Sequence, residues 1–338
     1  MLRGKKTLLS SSWVLLAGAL ACGGDDAAAP ADGGDDAPTA DGADDACLAS
    51  DEPLDLVGTW AARAWIDVYM VTPGGGIVHL CPDRYYGVSL ITLRVRVHEQ
   101  SGTTVRHTFN VCRLQMPRVE AAIDPACDSR VGMQLSVGPV LTALWPEIDY
   151  PGGAVLGGTT ACSSYVAEEL VAIFGADGTV GPRDPLPEWR SGCTVGAEGC
   201  VEGWEHVVDS DGDVHPGVTL TVDSDPEDLI EGEAYTAYRT VDLLRGTAWS
   251  SRLIRGEVEP SIDYQILDSD VLVGGAPLAT HLVRENIPVF EIPETGSTFV
   301  LVRADGRHGA PDLDADRSGE VTCEEILAAE SVFAPYQP

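Results

Sequence analysis

Between residues 47 and 311 apolar and polar side chains alternate over short runs, the two-residue period of strands with one buried face. Trp60, Ala62, Ala64, Ile66 and Val68 share one face of the first run, and Trp65 lies on the other. Ile91, Leu93, Val95 and Val97 alternate with Thr92, Arg94, Arg96 and His98. After "EQSGT", Val105, His107, Phe109 and Val111 alternate with Thr104, Arg106, Thr108 and Asn110. Matching the two apolar faces sets Val97 opposite Val105 and Leu93 opposite Phe109. The connection is then a three-residue loop, Gln100-Ser101-Gly102, with Gly102 at its left-handed position. His98 faces solvent and His107 sits among apolar neighbours. Val218, Leu220 and Val222 alternate with Thr219 and Thr221, and "GEAYTAYRTVDLL" (232–244), "AWSSRLIRGEVE" (248–259) and "STFVLVRA" (297–304) read as later strands. "SSYVAEELVAIF" (163–174) is ambiguous between strand and helix. Many short strands separated by Gly and Pro predict a mainly β fold, an antiparallel barrel or a sandwich.

The alternation is absent from both ends of the chain. Arg3, Lys5 and Lys6 precede an apolar run over 13–21, and Ala19-Leu20-Ala21 ends it with small residues. These are the parts of a signal peptide over 1–21, too short for a spanning helix. Ala19-Leu20-Ala21-Cys22 resembles a bacterial lipobox, with Ala19 where leucine is usual. The resemblance implies that Cys22 is lipidated, becomes the new N-terminus and anchors the chain to a membrane. Ala-Leu-Ala also suits the ordinary signal peptidase, which leaves Cys22 unmodified. Residues 23–46 contain only Gly, Ala, Asp, Pro and Thr. Nothing in them offsets the entropy of ordering, so 22–46 reads as a lipidated cysteine and an acidic disordered linker. The expected location is the outer membrane or cell surface, with the periplasm as the alternative.

Cysteine and charge refine this picture. Nine cysteines, less Cys22, leave eight, and an even number in an exported chain predicts four disulfides. The local pairings Cys81–Cys112 and Cys193–Cys200 are expected. The formal net charge is −32, and lysine occurs only at Lys5 and Lys6. Such a chain repels nucleic acid and anionic lipid, and the charge serves solubility first, with divalent cations or basic partners as the alternatives.

Two resemblances go further. "LVGTWAAR" (56–63) resembles the Gly-x-Trp opening of lipocalin-type barrels. That likeness implies that Trp60 plugs the closed end of a barrel, often against an arginine of a late strand, here Arg252 or Arg303. "VVDSDGDVHPGVTLTV" (207–222) with "GEAYTAYRTVDLLRGTAWSS" (232–251) resembles a block of secreted myxobacterial lipoproteins of unassigned activity. It implies an exported β-rich chain and no particular chemistry.

The tail, 312–338, carries the sharpest motif. "DADRSGEVTCEE" (314–325) meets the EF-hand loop template. Asp314, Asp316 and Ser318 offer oxygens at every second position, and Gly319 permits the turn. Glu320 ligates through its carbonyl, Val321 is apolar, and Glu325 binds bidentately. "EEILAAESVF" supplies an outgoing helix, but a strand and a loop precede the motif where a regulatory EF-hand has a helix. Calcium here is therefore expected to brace rather than switch, the more so if Cys323 forms a disulfide to the body. The competing reading is an acidic loop that caps the helix. Asp209, Asp211 and Asp213 form a possible second metal turn. Val214 at the glycine position and Leu220 at the glutamate position exclude an EF-loop there.

Catalytic signatures do not appear. There is no Gly-x-Ser-x-Gly, no His-Glu-x-x-His, and no lysine for a phosphate loop outside the first residues. The expected function is non-enzymatic binding of a ligand or envelope protein by a tethered β-domain with structural calcium. The alternative is an extracellular hydrolase acting on glycans. A deep interior cavity with clustered carboxylates favours the alternative, and a filled interior favours binding.

Overall fold

In the computed structural model the described residues are Cys47, 50–71, 84–119, 132–189, 204–225, 229–286 and 288–338. The signal peptide, Cys22 and the linker lie outside them, as do Cys81, Cys127, Cys193 and Cys200. Cys47–Pro338 make one compact unit.

The alternating runs become β1 (Gly58–Val71), β2 (Arg84–Ser101), β3 (Thr104–Gln115), β4 (Arg118–Val119) and β5 (Gly132–Val137). A short helix, α1 (Pro139–Leu144), leads to β6 (Tyr150–Leu156), β7 (Ser163–Ala167) and β8 (Leu170–Phe174). Then come β9 (Val218–Asp225), β10 (Ile230–Ser250), β11 (Leu253–Val273), β12 (Ala276–Leu278), α2 (Thr280–Asn286), β13 (Val289–Glu291), β14 (Thr298–Arg303) and α3 (Cys323–Ala328). The fold is mainly β, and every named strand pairing is antiparallel. Strands run β11-β14-β1-β2-β3-β6-β7-β10, and β10 pairs back with β11, closing a ring of eight. The long β10–β11 hairpin continues past the ring, where β9, β5 and β4 extend the sheet from β10.

Period-two alternation explains the ring. Trp60, Ala62 and Ile66 point inward with Val95, Val97, Val105, Phe109 and Leu301. Ala61 and Trp65 point outward, yet they too are buried, under Val321, Ile326 and Phe333 of the tail. β1 is thus covered on both faces. Trp60 is fully buried and its indole N–H donates to the Leu56 carbonyl at 2.9 Å. Arg303, not Arg252, lies against Trp60, with its guanidinium carbon 5.5 Å from the ring centroid. That guanidinium is fully buried and donates to the carbonyls of Asp55, Val57 and Ser251 and to Asp305. Gly58, at φ +142°, passes so close to Arg303 and Asp305 that a Cβ would collide with both.

Several expectations need correction. In the β2–β3 hairpin Val97 lies opposite His107, Leu93 opposite Val111, and Gln100 opposite Val105. The turn is the two-residue Gly102-Thr103, with Gly102 at φ +60°. An irregularity between Val97 and Glu99 absorbs His98 as a bulge, so the apolar faces still match. Gln100 turns inward because its side-chain amide accepts from the Leu56 N–H and donates to the Leu54 carbonyl. His107 is buried and His98 exposed, as expected. "AWSSRLIRGEVE" is not one strand: Ser251-Arg252 form the β10–β11 turn inside it. The ambiguous 163–174 stretch is two strands, β7 and β8, parted at Glu168-Glu169.

The described disulfides are Cys47–Cys162 and Cys112–Cys323. The Cys81–Cys112 pairing is therefore wrong. Cys112 sits on the outer face of β3, where the tail brings Cys323 to it. The Cys193–Cys200 pairing falls outside the described residues.

Candidate metal centre

β14 carries the chain to the rim of the ring, and a short 3-10 turn, Arg307–Gly309, follows it. No helix precedes the acidic loop. α3 follows it, started by Thr322. The Thr322 hydroxyl accepts from the Glu325 N–H, and the Glu325 carboxylate accepts from the Thr322 N–H, a reciprocal capping box. The tail is then fixed to the ring in four ways. Cys323 is bonded to Cys112 of β3. Ile326 and Phe333 are fully buried against the outer face of β1 and β14. Arg63, itself buried, bonds Glu330 at 2.9 Å and stacks on Phe333, while Arg113 bonds the same carboxylate. Arg94 donates to the Val321 carbonyl at 3.3 Å.

On this base three of the expected ligands come together. One oxygen each from Asp314, Asp316 and Glu325 lie within 4.8 Å of one another. The Ser318 hydroxyl is 3.0 Å from the Glu320 carbonyl, to which it donates. Gly319 adopts φ +90°. The Asp314 carboxylate folds the loop by accepting from the N–H groups of Ser318 and Gly319. The Ser318 N–H holds the Asp316 carboxyl below the usual carboxylate range, and the Thr322 N–H does the same for Glu325. The donors are all oxygen, carry three negative charges and surround a glycine turn, which fits a hard cation such as calcium. The capping role of Glu325 is present as well. A carboxylate has about four lone-pair sites, so one role does not displace the other.

The second acidic turn is built differently. Asp209 accepts from the N–H groups of Gly212, Asp213 and Val214, and Asp213 from His215. Asp211 is 3% exposed and one of its oxygens accepts from the Thr219 N–H at the start of β9, while the other has no partner. Burial pushes the Asp211 carboxyl up. Here too one oxygen from each aspartate falls within 4.8 Å of the others.

Sequence reading missed two elements. Thr322 is a helix cap, and the signal for it was Thr-x-x-Glu ahead of an apolar run. Asp242 stands on the inward face of β10 with Tyr238, Thr240 and Leu244, at the edge of a cavity of about 80 Å³ inside the ring. The sign for Asp242 was an acid at an apolar parity. Compared with protein-family models, with curated proteins and with solved structures, the chain matches none of them.

Proposed function

We propose that the chain is an exported, membrane-tethered β-domain that acts by binding a ligand or an envelope protein, without catalysis, and that calcium braces its tail. The observation that carries this reading is the meeting of three carboxylates, Asp314, Asp316 and Glu325, on a loop already tied to the ring. Asp314, Asp316, Ser318, Glu320 and Glu325 would hold the ion. When bound, it would neutralise carboxylates that otherwise repel one another. Cys323 and the buried Ile326 and Phe333 leave the loop little to move, which suits a brace. The two disulfides fit an oxidising compartment. Lipidation at Cys22 would place the domain on the outer membrane or cell surface, with 23–46 as its tether. The hydrolase reading has less support. Glycoside hydrolysis uses a pair of carboxyl groups, and the ring cavity has one among its described lining residues.

Calorimetric titration of calcium into chelator-treated protein tests the brace. Wild type should bind one ion, and Glu325→Gln should lose most of the heat. Equal heats in the two would place calcium elsewhere. Mass spectrometry of the mature protein tests the anchor: a chain beginning at an unlipidated Cys22 would remove it.

A further inference from the structure

The cavity inside the ring has its own chemistry, separate from the tail. Most of its lining is aliphatic, and four aromatic side chains border it: Phe109, Trp145, Phe174 and Tyr238. Trp145 and Phe174 stand 6.1 Å apart, centroid to centroid. Asp242 is the single charged group among the described lining residues. Its carboxyl has no hydrogen-bond or ion-pair partner among the described residues, and the residue, half-buried overall, lines the cavity. A second cavity of about 30 Å³ shares Asp242, Tyr238 and Thr240 with the first. The Tyr238 and Thr240 hydroxyls are likewise unpartnered.

We propose that this cavity binds a small organic ammonium ion, with its charge held between the Asp242 carboxylate and the surrounding aromatic rings. An unpaired carboxylate in an apolar enclosure is unfavourable, and a cation of matching size relieves it. Aromatic faces attract the same charge, most strongly where water is excluded. Size limits the guest. A cavity of about 150 Å³ admits benzene, so about 80 Å³ admits a head group of a few heavy atoms. Burial pushes the Asp242 carboxyl up to about 7, so the site takes a cation in neutral or alkaline solution and loses it in acid. No other group nearby alters that response. Tyr238 is shifted further upward by burial, and the residues of β1, β2, β3, β8, β11 and β13 around the two cavities are apolar or carry a hydroxyl. The inference shares with the calcium brace only the non-enzymatic reading, and each is measured with its own probe.

Methylammonium chloride is the probe, since it is small enough for the cavity and stays charged from pH 5.5 to pH 8, and methanol is its neutral counterpart. Titrated into the full chain at pH 8, the cation should bind at one site and methanol at least tenfold more weakly. Affinity for the cation should fall at least tenfold at pH 5.5 and at least tenfold in Asp242→Asn. That variant keeps its shape and loses only the charge, and a thermal melt checks that it is folded. Equal binding of both probes, or of the cation to wild type and variant, would overturn the proposal and leave an apolar hole. Absence of saturable binding to folded wild type would also overturn it and leave a hydrated carboxyl. Calcium binding at Asp314–Glu325 would survive either result.

Discussion

Two acidic turns in this molecule look alike in one dimension and differ in three. Asp209-x-Asp211-x-Asp213 and Asp314-x-Asp316-x-Ser318 both place oxygen at every second residue. In the first, the carboxylates are taken up by nearby N–H groups that shape the turn into β9, and the one free oxygen is buried. In the second, the loop also folds on its own carboxylates, but Glu325 arrives from α3 and closes the set from the other side. The difference lies in the second element. Both turns gather three carboxylates closely enough for a cation, and in the second alone a helix delivers one of them.

The largest test acts on what holds that helix. Replacing Cys112 and Cys323 with serine should lower the unfolding free energy by about 3–5 kcal/mol, because the crosslink closes a very long loop. Denaturant melts give the loss, and amide exchange gives its place. Protection should vanish over 321–333 and persist at Thr219. Uniform loss would show the two turns to be one cooperative unit, and the contrast between them would fail.

Calcium comes next. At roughly a hundred times its dissociation constant it should stabilise the chain by about 2.7 kcal/mol. Thermal melts of Asp314→Asn should lack this gain, and melts of Asp209→Asn should keep it. An equal loss in both would erase the distinction.

The smallest effects are in pH, with opposite signs. The Asp211 carboxyl is raised by burial, so its contribution is complete in acid and is lost as pH rises through its folded value. Asp211→Asn should therefore gain on wild type toward neutral pH. Asp316 and Glu325 are lowered, so their contribution is present at neutral pH and is lost as pH falls through their folded values. Melts at a series of pH values, read as variant minus wild type, separate the two limbs. The subtraction also removes His107, which burial pushes down to about 4 and which loses stability between pH 6.5 and that value. Two limbs of the same sign would contradict the burial of Asp211.

How much of this was legible from the chain follows from the range of the forces involved. Strand identity was legible in β1, β2, β3, β9 and β14, because alternation is a local consequence of one buried face. Register in the β2–β3 hairpin was not. It depends on a bulge at His98 and on Gln100 meeting Leu54 and Leu56, a contact between residues far apart in the sequence. The same holds for Cys112, whose partner is 211 residues away and is brought there by the tail's apolar face. The meeting of Asp314, Asp316 and Glu325 in the tail was readable because the loop is continuous in sequence. Asp242 was passed over because its environment comes from several strands.

Tension reveals a further property of the two crosslinks. Cys47–Cys162 and Cys112–Cys323 overlap along the chain, since Cys112 lies between Cys47 and Cys162. A pull between Cys47 and Cys323 passes through both bonds, and the shorter covalent route is the segment from Cys112 to Cys162. Fully drawn out at about 3.5 Å per residue, that segment reaches roughly 175 Å. Without the bonds, the whole span from Cys47 to Cys323 would pay out more than five times as far. Residues 48–111 and 163–322 therefore form slack arms that bear no load until the shortest one parts. A domain pulled between these points would stay on a short leash even after its strands had separated.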